Sequence, residues 1–220
     1  MRKRKDPNIR REVFIRVAME LFKEKGYEGI SVRNVLTAVA DKSASPSVFY
    51  YYFESKDDLY HACIETIADE YIEGLKNQFS IKYRTLEEWI LYNNIFMKDY
   101  LIKYLTSNNC SYIDGSGMNY SFILNTRDKI TQRVAEFWIE SFSHMEDFPQ
   151  CEAWSMARFL AGGISEIMYN YLLGEEKSEE RVRQLVTNII KLTVRAVGFS
   201  DEKREKIMNA LEKGSVSLDD

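Results

Sequence analysis

Residues that interrupt helices are scarce in this sequence. Among its 220 residues the chain has only 3 Pro and 10 Gly, and strands joined by tight turns need more of both. No stretch of useful length alternates apolar and polar residues as a half-buried strand does. The sequence therefore predicts an all-α fold of nine or ten helices.

Metal-binding and catalytic patterns are also missing. The cysteines Cys63, Cys110 and Cys151 are far apart and form no C-x-x-C pair, so we expect reduced thiols and no zinc finger. Asp57 and His61 lie one helical turn apart, but two ligands do not make a catalytic metal site. No phosphate-binding loop, dinucleotide fingerprint or nucleophile elbow occurs. The sequence predicts no enzymatic activity and no cofactor.

Long apolar runs are absent as well. No segment approaches the roughly 18 consecutive apolar residues of a membrane span, although 45% of all residues are apolar. The basic residues 2–5 resemble the start of a signal peptide, but no apolar segment follows them. We expect a soluble, cytoplasmic protein with a substantial core and no membrane partner.

Charge of one sign dominates neither the whole chain nor any long part of it. The net charge is −4, yet residues 1–60 hold 12 Lys or Arg against 9 Asp or Glu, and residues 61–220 hold 18 against 25. A basic N-terminal part on an acidic body is consistent with local phosphate binding. An offset this small is, by itself, more typical of a solvated charged surface.

Capping residues predict four helices in the first 80 residues. Their first residues are Asp6 with Pro7, Ser31, Ser45 with Pro46, and Ser55. Each of these positions offers a side-chain oxygen to the free N–H groups of a first helical turn. Gly26 ends the first helix as a left-handed cap residue. The buried side of that helix is predicted to consist of two apolar rows, Val13–Val17–Leu21 and Phe14–Ala18–Phe22.

Further helices follow from apolar periodicity and from caps such as Thr85 and Ser178. Their predicted ranges are about 85–104, 120–142, 149–173, 178–197 and 201–213, and residues 107–117 look irregular. The 149–173 helix carries Gly162 and Gly163 near its middle, where each Gly costs about 1 kcal/mol relative to Ala. Such a cost is tolerable where a second backbone must come close.

Three consecutive tyrosines, Tyr50, Tyr51 and Tyr52, stand in the short third helix. A core-facing helix does not need such a run, because the side chains point around most of the helix and some must face outward. We expect at least one ring to pack inward. Exposed rings and hydroxyls on a short helix indicate a contact surface, and a helix-turn-helix presents such a helix to DNA.

The segments around this helix resemble a family motif. They read L-F-K-E-K-G-Y-E-G-I-S-V-R-N-V at residues 21–35 and S-P-S-V-F-Y-Y-Y-F-E-S-K-D-D-L at residues 45–59. Both are similar to the N-terminal domain of TetR-family transcriptional regulators. The resemblance implies a three-helix helix-turn-helix domain at 1–54, a connecting helix at about 55–79, and a helical ligand-binding and dimerisation domain at 80–220.

The resemblance also implies which residues face DNA. They are Ser31, Arg33, Ser45, Pro46, Ser47, Val48, Tyr50, Tyr51, Tyr52 and Lys56. Tyrosine hydroxyls can bond phosphates, and tyrosine rings can contact thymine methyl groups. Arg33 can reach guanine or a phosphate, with an ion pair to Glu28 as the alternative. Lys56 can clamp a phosphate at the start of the fourth helix.

One departure from the family pattern affects the predicted aim of the third helix. The turn from Val39 to Ser45 is about three residues longer than the usual A-G-V-S turn, which is nearly one helical turn. The usual Gly and Leu of the third helix are replaced by Ser47 and Phe49. We expect the longer turn to extend the second helix or the loop.

The function that the resemblance implies is that of a ligand-responsive transcriptional regulator. It would be a homodimeric repressor on a double-stranded DNA operator, released by an unidentified small molecule, and would pair through the helices at about 149–173 and 178–197. Large rings such as Trp89, Trp138 and Trp154 suit a pocket or simply a core, so no ligand residue is predicted. The alternatives are a homodimeric helical interaction protein without DNA binding and a helical cofactor-binding enzyme.

Overall fold

The structure is a computed structural model. It describes residues 7–39, 44–78, 83–91, 120–148, 152–173 and 178–213. Helices joined by short connections make up these ranges, and none of the described residues lies in a strand. The predicted all-α fold is confirmed.

Nine helical segments lie within the described ranges. They are α1 (Pro7–Lys25), α2 (Val32–Ala38), α3 (Pro46–Tyr52), α4 (Lys56–Gln78), α5 (the helical residues 86–91), α6 (Tyr120–Ser143), α7 (Ala153–Leu173), α8 (Glu179–Ala196) and α9 (Asp201–Lys213). Three predicted features lie wholly or partly outside the described residues. They are residues 40–43 of the longer turn predicted at 39–45, the second half of the helix predicted at 85–104, and the irregular segment at 107–117.

The predicted caps account for where the N-terminal helices begin. Ser31 and Ser45 have extended backbones, and their side chains accept hydrogen bonds from backbone N–H groups of α2 and α3. The Ser55 hydroxyl accepts one from the Asp58 N–H at 3.0 Å. Gly26, with φ of 69°, follows α1 in the left-handed region that favours glycine. Because each cap bonds within its own first turn, these helix starts can be predicted from the neighbouring residues alone.

The chain divides into two compact units. The first contains Met1–Glu73 and Gly115–Ile130, and the second contains Gly74–Asp114 and Thr131–Asp220. The first unit therefore includes the beginning of α6, which the sequence placed with the larger C-terminal part. The division of function between residues 1–54 and 80–220 stays a prediction.

Aromatic side chains form the centre of the first unit. Phe14 of α1 meets the rings of Phe49 and Phe53 nearly edge-on, at centroid distances of 6.0 and 6.2 Å. All three rings are at most 1% exposed. Because residues four apart lie on one side of a helix, Phe49 and the residue just after α3, Phe53, reach α1 together.

One predicted buried position on α1 is wrong. Val13 is 42% exposed, whereas Ile15, which neither predicted row included, is 3% exposed. The buried stripe is centred on Phe14, Ala18 and Phe22. Ile15 and Val13 lie on opposite sides of this stripe, and the side with Ile15 is the one that is covered.

The second unit has its own aromatic and aliphatic core. The Trp89 ring lies 5.0 Å from that of Phe142, which in turn stacks on Phe148 at 4.8 Å. Val182 and Val186 of α8 are buried with them. No helix in the described part of the chain is long and apolar enough to span a membrane.

The buried thiol of Cys63 generates a prediction for the core of the first unit. Its Sγ donates to the Ile15 carbonyl at 3.5 Å, and burial raises the pKa of Cys63 to about 12. A thiol reagent at pH 8 should therefore react with Cys63 far more slowly in the folded protein than in urea, because the thiolate is the nucleophile. A variant with Cys110→Ser and Cys151→Ser leaves Cys63 as the only thiol to measure.

The same burial predicts a pH dependence of stability. The pKa of Cys63 in the folded protein lies above its unfolded value of about 8.5. The stabilisation that this raised pKa gives to the folded state is therefore complete below about pH 8.5. It is lost as the pH rises toward about 12. For the thiol-reagent experiment, equal reaction rates of Cys63 in buffer and in urea would contradict a buried, protonated thiol.

Candidate nucleic-acid interface

The outward face of α3 is set by its inward face. Phe49 is fully buried, and the opposite side carries Pro46, Ser47, Tyr50 and Tyr51, all of them exposed. These four positions are spaced i, i+1, i+4 and i+5, so they form one continuous stripe. Tyr50 is 58% and Tyr51 74% exposed, and for such large rings this leaves a broad aromatic surface.

Two of the predicted DNA-facing residues also pack against the core. The Tyr52 ring lies 6.2 Å from that of Phe14, so Tyr52 is the inward-packing ring of the tyrosine run. Val48 is also half-buried against the same core. Both residues hold α3 in place, and their direct contact with DNA stays a prediction.

The Ser31 hydroxyl is committed to capping α2. It donates to Asn34 Oδ1 at 2.5 Å and accepts from the Asn34 N–H at 3.2 Å, while the Ser31 N–H donates to the same Oδ1 at 2.8 Å. The arrangement is a capping box with Asn in the place where Glu or Gln is usual. Because Asn is unusual in that place, the sequence pattern does not reveal the role of Asn34.

Two further serines lie at the start of α3. The Ser45 hydroxyl accepts from the Val48 N–H at 3.4 Å, and the Ser45 and Ser47 hydroxyl oxygens are 3.0 Å apart. Ser45 is half-buried and Ser47 is exposed. Ser45 therefore positions the helix, and Ser47 is the hydroxyl that remains accessible from outside.

Arg33 is an exposed guanidinium in the first turn of α2. It forms no ion pair with Glu28 or with any other residue that the structure describes. Neither α2 nor α3 contains an acidic residue, and Arg33 is the one charged residue in the two helices. Its five N–H donors are available to an anion or to a base edge.

Lys56 has a structural role that the sequence did not reveal. Its Nζ donates to the carbonyl oxygens of Tyr27 at 2.9 Å and Ile30 at 3.0 Å, and it lies 3.8 Å from the centre of the Tyr27 ring. These bonds tie the start of α4 to the connection between α1 and α2. An ammonium has three donors, so the predicted phosphate contact depends on the one N–H that these two carbonyls do not use.

The tyrosine beneath that ammonium remains neutral at physiological pH. Burial is the main cause of a raised pKa of Tyr27, and the carboxylates of Asp57 and Glu28 raise it further. The Tyr27 hydroxyl therefore stays protonated, and the neutral ring attracts the cation above it through its π face.

Taken together, these helices form a helix-turn-helix with an exposed aromatic face on its second helix, which is the arrangement of a DNA-binding transcriptional regulator. A family model described as "Bacterial regulatory proteins, tetR family" matches residues 14–63. The biofilm operon icaADBC negative transcriptional regulator IcaR of Staphylococcus aureus (strain Newman) is 30% identical over 141 residues, covering 60% of this chain and 72% of IcaR. The chain belongs to the TetR family of bacterial regulatory proteins.

Two solved structures align with most of the chain at low identity. The reduced form of NemR from E. coli has a TM-score of 0.49 at 14% identity and covers 85% of this chain and 96% of its own. GusR from Salmonella enterica has a TM-score of 0.49 at 18% identity and covers 90% of this chain and 100% of its own.

The double role of Lys56 generates a prediction. Lys56→Gln should lower the free energy of unfolding by about 1–3 kcal/mol, because the carbonyl oxygens of Tyr27 and Ile30 lose a charged hydrogen-bond donor. If the third N–H binds a phosphate, the slope of log K against log salt should also become shallower by about 0.9 per bound protomer. Urea unfolding and salt-dependent DNA binding measure the two effects separately.

Lys76 supplies a matched control, because it is exposed and lies near the other end of α4. Lys76→Gln should leave both quantities nearly unchanged. A Lys56→Gln variant of normal stability would contradict the structural role, and an unchanged salt slope would rule out the phosphate contact.

Proposed function

We propose that this regulator is a repressor that acts in the cytoplasm as a homodimer, binds an operator in double-stranded DNA, and is released by a small-molecule effector. The observation that carries the DNA part is the exposed Tyr50–Tyr51 face of α3. The helix before it has one charged residue, Arg33, which forms no ion pair with any residue that the structure describes. A negative regulator among the relatives of this chain supports the sign of control.

The proposed DNA contacts fall into two groups. Arg33, Pro46, Ser47, Tyr50 and Tyr51 are exposed and face the nucleic acid directly. The others act mainly by holding the helices in position; they are Ser31, Ser45, Val48, Tyr52 and Lys56. Half of the predicted set therefore positions the other half.

The proposed dimer pairs α7 and α8 with the same helices of a second copy. Trp154 and Phe159 on α7 are 59% and 67% exposed, and Leu192 on α8 is 53% exposed. Around Gly162 and Gly163, a Cβ placed on either residue would meet none of the described atoms within 4 Å. No neighbour in the described part of the chain therefore explains these glycines, and close approach by a partner helix would. A two-fold dimer presents its two α3 helices to half-sites about one helical turn of DNA apart.

The proposed release depends on contacts between α4 and α6 inside the first unit. The Asn125 amide nitrogen donates to the Tyr60 hydroxyl at 3.0 Å, and Lys129 forms an ion pair with Glu65. Phe122 is buried in the core shared with Tyr60. An effector that displaces α6 would displace α4, whose first residue is Lys56. A coupling of about 1–3 kcal/mol changes affinity roughly 5–150-fold, enough to empty an operator.

A DNA-binding assay tests the first part of the proposal. The full chain should bind DNA upstream of its own gene, and Arg33→Ala should weaken that binding by about 1–3 kcal/mol because a guanidinium contact is lost. Lys206→Ala is the control, since it removes one exposed positive charge from α9. Promoter activity in a reporter strain should fall when the protein is present.

Absence of specific binding to any genomic fragment would contradict the proposal and favour the alternative of a helical interaction protein. Increased reporter activity would keep the DNA site but reverse the sign of control.

Dimerisation generates a separate prediction. Phe159→Asp should shift the protein toward monomers in analytical ultracentrifugation, because a charge would be buried against the partner. Ile9→Asp introduces the same charge at an apolar residue that is 55% exposed in the first unit, and this control should remain dimeric.

The glycines sharpen this test. Gly162→Ala and Gly163→Ala should stabilise an isolated helix by roughly 1 kcal/mol each, yet weaken a dimer in which the partner backbone lies against them. A double variant that is both more stable and fully dimeric would place the interface elsewhere.

A further inference from the structure

We propose that α3 reads thymine methyl groups in the major groove through the rings of Tyr50 and Tyr51, so that the operator half-site carries thymines where these rings lie. The inference rests on the proposed DNA binding and adds the chemistry that the recognition helix selects.

The side chains that usually read purines are missing from α3. Its sequence, P-S-V-F-Y-Y-Y, contains no Arg, Lys, Asn, Gln, Asp or Glu. Guanine and adenine are recognised in the major groove mainly by two parallel hydrogen bonds, from Arg or Lys to guanine and from Asn or Gln to adenine. No residue of α3 can make either pair of bonds.

The preceding helix does not supply the missing amide. Asn34 is the one amide side chain of α2, and its Oδ1 already accepts bonds from the Ser31 hydroxyl and the Ser31 N–H. Reading adenine requires that oxygen together with the amide nitrogen, so Asn34 cannot do so while it caps α2. Arg33 is therefore the one side chain of α2 and α3 that can make a bidentate base contact.

What α3 does present is apolar and aromatic. Its exposed stripe consists of Pro46, Ser47, Tyr50 and Tyr51. The Ser47 hydroxyl can bond to several bases and discriminates weakly among them. The thymine C5-methyl is the apolar group in the major groove, and the two exposed rings are the large apolar surfaces that match it.

The rings are also restrained in orientation, which a selective contact requires. The Tyr50 ring packs edge-on against buried Phe49 at 5.2 Å and 88°, and the Tyr51 ring packs edge-on against half-buried Tyr52 at 4.8 Å and 86°. Each of these contacts limits the positions open to the ring, so less side-chain entropy is lost when the ring meets a methyl group.

The test begins with selection of bound sequences from a random duplex library by the full-length protein. In the selected duplex, each thymine is then replaced singly by uracil, which removes the methyl group and keeps every hydrogen-bonding atom. We expect about fourfold weaker binding for each contacted methyl. Uracil at thymines outside the protected region should have no effect.

Two variants connect the effect to the ring. Tyr51→Ala should bind less tightly and should no longer distinguish thymine from uracil at one or more positions. Tyr51→Phe keeps the ring without its hydroxyl and should retain that distinction. Because Tyr51 is largely exposed, circular dichroism should show the same helix content for both variants.

Each outcome has a definite meaning. Failure to select any sequence would overturn the proposed DNA binding and this inference with it. Specific binding that tolerates uracil at every position would overturn this inference alone. Loss of the thymine preference in Tyr51→Phe as well as in Tyr51→Ala would assign the contact to the hydroxyl and would also overturn it.

Discussion

The packing of Phe14 against Phe49 and Phe53 is the constraint on which the first unit depends. These rings exclude water from the junction of α1 and α3, and a buried Phe contributes several kcal/mol to stability. Once Phe49 is fixed inward, the geometry of a helix leaves Tyr50 and Tyr51 no place except the outside. The exposed aromatic face is thus a direct consequence of a buried aromatic core.

Positioning and recognition share the same short segment of chain. The hydroxyl of Ser31 and the ammonium of Lys56 both satisfy backbone groups of the turns around α2, and such groups are costly to leave unpaired. A residue that resembles a nucleic-acid contact in a motif can therefore be retained for the geometry it enforces. Among the described residues of α2 and α3, the side chains of Arg33, Tyr50 and Tyr51 bond to no backbone group of these turns.

The sequence predicted what local chemistry determines and missed what depends on distant partners. The caps at Ser31, Ser45 and Ser55 were correct, because a cap bonds within its own first turn. Val13 was assigned to the core in error, since an apolar row does not reveal which of its margins meets another helix. The bonds from Lys56 to Tyr27 and Ile30 join residues far apart in sequence, and no periodic pattern encodes them. Whether Arg33 pairs with Glu28 depended on exposed rotamers, which composition does not determine.

The burial of Phe122 among Phe22 and Tyr60 has a consequence for how such proteins can be recombined. The N-terminal helices do not enclose their core by themselves, because a side chain from α6 completes it. A chimera joined just after α4 would bring a foreign residue into that position and expose or overfill the gap. A domain exchange that transfers DNA specificity between relatives therefore has to include the start of α6 together with the first four helices.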